Sequence, residues 1–328
     1  MAWVVLIIFL GLLFDYTNGF HDVANVVSTI IATGVLRPLV AIGMAALLNT
    51  IGATQVGAVA RTIAEGLVDQ TGITEAIVVA ALCGAIVWNL LSWVFALPSS
   101  SSYALIGGVI GAAWRGEGSG IVHWESLASK VIIPMAIAPL LGFLLALGLM
   151  RFLFFLQSKK KLEAKNPLYS RLQIGSAGLV ALSHGMNDAQ KSMGIITLGL
   201  FAAKALPSLS IPLWVIFACA LTMGLGTAWG GLRIIRTVGT KITPMVPLQG
   251  FAAELSASSV ILTATFLGMP LSSTQMIVGS IAGVGVARQK REVNWTIARK
   301  IALTWILTLP GSALISAFAY TLYLAFRK

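Results

Sequence analysis

Long apolar runs make up most of this chain, and short polar or charged stretches separate them. Because a helix needs about 20 apolar residues to cross the hydrocarbon core of a bilayer, runs near this length predict membrane segments. The pattern predicts ten of them, at residues 1–33, 37–60, 73–97, 99–114, 128–156, 172–203, 211–237, 250–268, 272–287 and 296–326. The predicted fold class is an all-α membrane protein.

Two of these segments carry polar residues in their middle. The first contains F-D-Y-T-N-G-F-H-D-V-A-N-V-V-S-T from Phe14 to Thr29, and the sixth contains L-S-H-G-M-N-D-A-Q-K-S-M-G-I-I-T from Leu182 to Thr197. Both segments are too long and too polar at the centre for one straight span. We therefore predict broken helices, with the breaks at Asn18-Gly19 and at His184-Gly185.

The two polar stretches are copies of one motif. Asp22 matches Asp188 at an offset of 166 residues, and P-S-S-S-S from Pro98 matches P-L-S-S-T from Pro270 at an offset of 172. Two motif pairs in the same order at nearly the same offset indicate a duplicated chain.

The duplication predicts an inverted-topology repeat. Each half has five segments, an odd number, so the second half must be inverted relative to the first. We expect a first repeat at residues 1–156, a basic cytoplasmic linker at 157–171 and a second, inverted repeat at 172–328. In secondary transporters of this design, the substrate site lies near the membrane midplane, where the two repeats meet.

The short fourth and ninth segments leave one detail of the topology open. Both are rich in glycine and follow a proline, Pro98 or Pro270. The third and fourth segments, and likewise the eighth and ninth, could each form a re-entrant hairpin instead of two crossings, because irregular backbone is tolerated at membrane depth when protein buries it. The number of crossings has the same parity in both cases.

Composition and charge support a membrane location. The chain is 57% hydrophobic and only 10% charged, with a mean hydropathy of +0.91, which lies outside the range of soluble domains. Its net charge of +11 comes from basic residues in short loops, where they set orientation, so we expect a lipid bilayer and no nucleic acid as partner. Cys83 and Cys219 both lie in apolar segments and are interpreted as buried thiols.

The distribution of Lys and Arg predicts the orientation. If the basic loop after Leu156 is cytoplasmic, 15 basic residues lie inside, 6 lie outside and Lys191 lies within the membrane. The positive-inside rule favours this arrangement. We therefore expect a multi-pass protein of the cell (plasma or inner) membrane with both termini outside the cytoplasm.

The duplicated proline-serine motifs have the chemistry of an anion site. A proline followed by hydroxyl residues suits the first turn of a helix, where free N–H groups and the helix dipole attract anions. The structural alternative is that these serines only cap helices or pack small faces together, but the duplication favours binding. The hydroxyl candidates for substrate binding are Ser100, Ser101, Ser102, Ser272, Ser273 and Thr274.

The acids of the first motif pair need a cation or a proton, because an unpaired charge in the membrane costs roughly 2.5 to 3.5 kcal/mol. Asp22 and Asp188 are candidates to hold Na+ or to take up H+, with Asn18 and Asn187 as further ligands. An ion pair with Lys191, three residues along the same helical face, is a structural alternative for Asp188.

Other polar residues in apolar segments join the candidates. Lys191 could contact the anion or only balance Asp188, and Asn25 and Gln190 are further candidates for substrate binding. Glu254 is an intramembrane acid and therefore a candidate for the coupling cation. Asp15 is a weaker candidate because it would lie near the outer surface, and for His21 and His184 we expect a packing role.

At these motifs the sequence resembles the inorganic phosphate transporter (PiT) family, including its bacterial low-affinity phosphate permeases. N-G-F-H-D-V-A-N and H-G-M-N-D-A-Q-K are similar to its two signature copies, and the resemblance covers nearly the whole chain. It implies cation-coupled phosphate uptake, with Asp22 and Asp188 at the cation site and the Ser/Thr clusters as phosphate ligands. Many members have a histidine after the second Ser/Thr cluster, where Gln275 stands here and Tyr103 stands in the first copy.

The hypothesis is a secondary active transporter that takes up inorganic phosphate with H+ or Na+ by alternating access, without a cofactor. Because the family also includes sulfate carriers, sulfate permease is the first alternative. A membrane-embedded hydrolase that uses a serine with His184 or His21, and a passive anion channel, are alternatives from other classes. Assembly into a homo-oligomer stays open. The candidate cation-site residues are Asp22, Asp188, Asn18, Asn187 and Glu254, and the candidate substrate-site residues beyond the hydroxyls are Asn25, Gln190 and Lys191.

Overall fold

The computed structural model describes residues 1–55, 57–160, 167–289 and 292–327, and within these ranges the chain is built from helices. The helices are α1 (Ala2–Ala32), α2 (Pro38–Ala53), α3 (Ala58–Glu65), α4 (Glu75–Val94), α5 (Ser101–Glu117), α6 (Trp124–Leu127), α7 (Ile133–Lys160), α8 (Pro167–Ala202), α9 (Leu213–Trp229), α10 (Leu232–Thr240), α11 (Pro247–Phe266), α12 (Ser273–Arg288) and α13 (Trp295–Phe326). A single π-helical turn, Ala128–Ile132, joins α6 to α7.

Each of the ten predicted segments coincides with a helix or with a bent pair of helices, so the all-α fold class is confirmed. Four helical stretches are long and apolar enough to cross a membrane, and they are Ala2–Ala32, Glu75–Val94, Trp124–Ser158 and Trp295–Phe326. Two bent pairs, α2 with α3 and α9 with α10, meet the same criteria when each is taken as one span.

The predicted positions of the helix breaks are wrong. Helices α1 and α8 run without interruption through Asn18-Gly19 and His184-Gly185. The chain bends instead by 70° between α2 and α3 and by 75° between α9 and α10. The second and seventh predicted segments, which occupy equivalent places in the two halves, are therefore the broken ones.

The motif glycines serve close helix packing rather than a break. A methyl group on Gly19 would lie 2.5 Å from the carbonyl oxygen of Met223 and 2.9 Å from the backbone nitrogen of Thr227, both on α9. A methyl group on Gly185 would lie 2.8 Å from the Cα of Asn49 on α2. Only glycine lets these pairs of helices approach so closely.

The two halves interlock instead of forming separate bodies. Helix α5 of the first half packs along α13 of the second, and α12 of the second half packs along α7 of the first. The predicted linker, residues 157–171, overlaps the end of α7 and the start of α8, and its residues 161–166 lie outside the described ranges.

Helices α4–α5 and α11–α12 form two hairpins whose tips meet inside the protein. The tip residues Ser99, Ser100 and Ser272 are buried, and the Ser102 hydroxyl donates a hydrogen bond to the Leu271 carbonyl across 3.1 Å. This contact places the start of α5 next to the start of α12. The site lies at this junction.

Candidate ion and substrate site

The site forms where the two motif copies converge. Asp22 lies on α1 and Asp188 on α8, yet a carboxylate oxygen of each and a ring nitrogen of His184 all lie within 4.8 Å of one another. Asp22 is 2% exposed and Asp188 is 0% exposed. The duplicated acids therefore share one enclosed site.

Oxygen atoms crowd around Asp22. The Ser101 hydroxyl oxygen lies 2.5 Å from Asp22 Oδ2 and 2.6 Å from Asn18 Oδ1. Because a hydroxyl has one proton, it can donate to only one of these two oxygens. Both oxygen–oxygen distances are those of hydrogen bonds, so the Ser101 proton can be shared with either partner.

Asp188 has a different set of partners. Its Oδ1 accepts a hydrogen bond from the Lys191 ammonium, and its Oδ2 accepts one from the Ser273 hydroxyl across 3.2 Å. His184 Nε2 lies 3.1 Å from the same Oδ2. The alternative weighed from the sequence, an ion pair between Asp188 and Lys191, is present.

The partners of the acids follow the repeat. Ser101 contacts Asp22 as its counterpart Ser273 contacts Asp188. The contacts that cross between the halves follow the same rule, because Asn25 Nδ2 lies 2.8 Å from the Thr274 hydroxyl and the equivalent Lys191 ammonium lies 2.5 Å from the Ser102 hydroxyl. Lysine in place of asparagine is the main chemical difference between the two sides.

Two of the six candidate hydroxyl residues cap helices. The Ser100 oxygen accepts from the Tyr103 N–H across 3.3 Å at the start of α5, and the Ser272 oxygen accepts from the Gln275 N–H across 3.3 Å at the start of α12. These caps orient both helix N-termini toward the acids. The Tyr103 hydroxyl also donates to the Gln275 side-chain oxygen across 3.2 Å, so the positions that depart from the family pattern face each other.

Two further candidates lie at the edge of the site. The Gln190 side-chain oxygen accepts from the Ala60 N–H across 3.1 Å, in the first turn of α3, and its amide nitrogen donates to the carbonyl of Met186 across 2.7 Å. Asn187 turns toward α11, where its amide donates to the Thr265 hydroxyl across 2.8 Å. In this conformation, the amide groups of Gln190 and Asn187 both form hydrogen bonds with neighbouring residues of the protein.

Glu254 lies in a separate polar cluster. Its carboxylate accepts from the hydroxyls of Thr29 and Ser176, each across 2.5 Å, and from the Gln173 amide across 3.1 Å. Within the described ranges, this cluster shares no hydrogen-bond partner with Asp22 or Asp188. Glu254 thus links α1, α8 and α11 beside the main site.

The histidines, for which the sequence predicts a packing role, contact the two acids directly. His21 Nδ1 lies 2.8 Å from Asp22 Oδ1, and His184 contacts Asp188. The spacing carried a signal for His184, since residues four apart on a helix share a face. His21 is the direct neighbour of Asp22, but its contact depends on a side-chain rotation that spacing does not reveal.

The chain is similar to known transport proteins along nearly its whole length. The profile of the phosphate transporter family matches residues 18–316. A probable low-affinity inorganic phosphate transporter of Mycobacterium tuberculosis (strain ATCC 25618 / H37Rv) is 45% identical over 97% of this chain and 77% of its own length. Proteins of the same name from Rhizobium meliloti and Bacillus subtilis are 43% and 41% identical, and the alignments cover 94% and 96% of their lengths.

The fold agrees as well. The solved structure of a protein described as the sodium-dependent phosphate transporter matches this chain with a TM-score of 0.88 at 22% identity, covering 99% of this chain and all of the other. The long apolar helices of this chain, together with its transporter relatives, identify it as a multi-pass membrane protein. The chain belongs to the phosphate transporter family, a family of permeases and not of enzymes.

Proposed function

We propose that this protein takes up inorganic phosphate by symport with a cation, either Na+ or H+, through alternating access. One observation carries the proposal, namely that Asp22 and Asp188 share one buried site whose single permanent cation among the described residues is Lys191. Inorganic phosphate is the substrate in the names of the curated relatives, and sodium dependence is in the name of the structural relative.

The charge balance of the site favours coupling to a cation. Two carboxylates and one ammonium group leave a net negative charge, and a phosphate anion adds to it. Buried charges of like sign repel strongly where the local dielectric constant is low. A bound cation or proton at Asp22 would remove this repulsion, so phosphate and cation would bind together.

The donor set around Asp22 fits a small hard cation. Asn18, Asp22 and Ser101 each offer an oxygen, and hard cations prefer carboxylate, carbonyl and hydroxyl oxygen atoms. A proton shared between the Ser101 and Asp22 oxygens would suit the same distances. Both coupling ions are therefore chemically compatible with this side of the site.

The hairpin tips supply what an oxyanion needs. The N-termini of α5 and α12 both point at the site, and helix N-termini with free N–H groups bind phosphate and sulfate. The Lys191 ammonium donates to the Ser102 hydroxyl, and the Asn25 amide donates to the Thr274 hydroxyl. Movement of Lys191 and Asn25 away from these hydroxyls would free their N–H donors for the anion. Lys191 would then add the only permanent positive charge of the described site.

Burial of the site supports alternating access. Asp22, Asp188 and Lys191 are each at most 2% exposed, so substrate cannot reach them without movement of the protein. The two bent helix pairs, α2–α3 and α9–α10, occupy equivalent places in the two repeats. If the protein opened beside one bent pair and then beside the other, the site would be exposed first to one side of the membrane and then to the opposite side.

Uptake of radiolabelled phosphate into liposomes that carry the purified protein tests this function. Three conditions are compared: an imposed Na+ gradient, an imposed pH gradient, and neither. We expect accumulation against the phosphate gradient under one ion and not without it. Downhill flux alone would indicate a channel, and accumulation of sulfate without phosphate would indicate a sulfate permease.

A further inference from the structure

A fourth buried acid lies on α1 outside the site described above. Asp15 is 0% exposed and precedes Asp22 by seven residues, about 10 Å along the helix axis. Its counterpart in the second repeat is Ala181. Asp15 therefore breaks the internal symmetry that Asp22 and Asp188 obey.

The carboxyl group of Asp15 is only half satisfied. Its Oδ1 accepts a hydrogen bond from the Ser192 hydroxyl across 2.6 Å, whereas its Oδ2 has no hydrogen-bond partner within the described part of the chain. None of the ion pairs formed by described residues includes Asp15. The backbone N–H of Met223 also acts favourably on the carboxylate, but without the geometry of a full hydrogen bond to Oδ2. A buried carboxylate with no cation beside it is costly, and a proton on Oδ2 removes that cost.

The groups that face Asp15 do not offer a cation site. Asp188 on α8 acts on it as a like charge, and the Cys219 thiol on α9 is the other titratable neighbour. Cys219 belongs to an apolar cluster of α8 and α9 residues with Met193 and Met223. Na+ needs several oxygen ligands, and the Ser192 hydroxyl is the one oxygen donor bonded to Asp15.

We propose that Asp15 is a proton-binding site that holds a proton in this closed conformation and exchanges it during the transport cycle. Its carboxyl group takes H+ directly on Oδ2, with no further reactant. Repulsion between Asp15 and Asp188 would link this proton to the charge state of the main site, and such linkage acts equally in both directions. The inference rests on the proposed transport function.

Infrared difference spectroscopy of the full-length protein tests for the proton itself. Asp15→Asn keeps the shape of the side chain and an acceptor for Ser192, so the variant should fold. We expect the wild-type protein at neutral pH to show a C=O stretching band of a protonated carboxylic acid that shifts in D2O and is lost in Asp15→Asn. Identical bands in the two proteins would overturn the proposal.

Uptake into proteoliposomes tests for the exchange. In Asp15→Asn we expect uptake driven by a pH gradient to fall to the level measured without a gradient, while exchange of internal for external phosphate persists. The control is Asp69→Asn, which removes an exposed carboxylate on the loop before α4. Unchanged response to the pH gradient in Asp15→Asn would mean that the proton only stabilises the fold, and the proposal of exchange would be wrong.

Different results would contradict the transport function and the proton site at Asp15. If the wild-type protein accumulates no phosphate under any gradient but shows the Asp15 band, the transport function is wrong and the proton site stands. If the protein accumulates phosphate and Asp15→Asn alters its Na+ dependence instead of its pH dependence, the proton assignment is overturned.

Discussion

At the scale of single residues, the two motif acids differ in how their charge is balanced. Asp188 has the ammonium group of Lys191 beside it, whereas Asp22 has Ser101, Thr274 and His21. The residue equivalent to Lys191 is Asn25, which has no charge. A coupling cation is therefore needed more at Asp22 than at Asp188.

Asp22→Asn should abolish cation-coupled uptake while the protein still inserts in the membrane. The amide has the same shape as the carboxylate but no charge for a cation or proton to neutralise. Uptake under Na+ and pH gradients measures the effect. Asp69→Asn is the control, because the backbone N–H of Thr71 holds the pKa of the exposed Asp69 carboxyl below its ordinary value and that charge lies outside the site. Uptake with unchanged ion dependence in Asp22→Asn would contradict the cation-site proposal.

Lys191→Met should destabilise the protein more than a change that removes both charges. The single substitution leaves Asp188 buried without its cation, and breaking a buried pair costs roughly 3–5 kcal/mol. Asp188→Asn combined with Lys191→Met removes both charges of this pair, so neither partner is left as an unpaired charge. Thermal unfolding in detergent should therefore give the lowest Tm for the single variant. A double variant no more stable than Lys191→Met would contradict the pairing.

Sequence patterns located the acids but not all of their partners. Asp22, Asp188 and the serine clusters stood out because a polar group in an apolar segment is conspicuous and because each occurs twice. Gln190 was assigned to the substrate, yet its amide binds the first turn of α3. That contact joins residues 130 positions apart, and no local pattern encodes it.

At the scale of elements, each hairpin tip places a helix cap and a contact with a motif acid in adjacent residues. Ser100 caps α5, and Ser101, one residue later, contacts Asp22. Because successive residues at a helix start point in different directions, one proline-serine motif can satisfy both roles. Capping therefore applies to Ser100, and we expect binding at Ser101.

Substitutions at these adjacent serines should differ in their effect on the KM for phosphate. Ser100→Ala removes the cap and should lower stability by about 1 kcal/mol with little change in the KM for phosphate. Ser101→Ala should raise that KM roughly tenfold or more, since a hydrogen bond to a charged group contributes about 1.5–3 kcal/mol. Kinetics and thermal unfolding of both variants check this. A raised KM in Ser100→Ala, or an unchanged KM in Ser101→Ala, would contradict this division of roles.

Glycine in the middle of a polar stretch favoured a helix break, and that prediction failed at both motifs. Breaks and close helix contacts both require glycine, so a single sequence cannot distinguish them. The actual bends, between α2 and α3 and between α9 and α10, lie in segments whose composition resembles an ordinary span. They depend on packing against α8 and α1, which the local sequence does not contain.

Gly185→Ala should destabilise the crossing of α8 with α2. The added methyl group would meet the backbone of Asn49, and overpacking of this kind typically costs about 1–3 kcal/mol. Gly175→Ala is the matched control on the same helix, because nothing lies within 4 Å of its added methyl group. Alanine there should be neutral or stabilising, given its better helix propensity. Equal Tm values for the two variants would contradict the packing role of Gly185.

At the scale of the whole molecule, the interlocked halves restrict how the transporter could open. Each hairpin is held along a long helix of the other half, α5 on α13 and α12 on α7. Helices α1 and α8 pack against α9 and α2, which continue into the bent segments, and α8 also packs along α11 of the second hairpin. Movement of this second group against the hairpins would separate Asp22 and Asp188 from the serine clusters. Such a movement would open the site without unfolding either repeat.

Two exposed residues at opposite ends of the α4–α7 stretch report the orientation of the chain in the membrane. Thr71 lies on the exposed turn before α4, and Ser158 lies near the exposed end of α7, next to the basic linker. The distribution of Lys and Arg puts Ser158 in the cytoplasm and Thr71 outside. The number of crossings between them is odd whether the α4–α5 hairpin crosses the bilayer or is re-entrant.

Cysteine labelling can check the orientation of the chain and whether the number of crossings between Thr71 and Ser158 is odd. Cys83 and Cys219 would first be replaced by alanine, and Thr71→Cys or Ser158→Cys introduced singly. A membrane-impermeant maleimide should label Thr71→Cys in intact cells and Ser158→Cys only after permeabilisation. The reverse pattern would overturn the orientation and leave the repeat intact. Labelling of both from outside would require an even number of crossings, and an inverted repeat of two five-segment halves could not then hold.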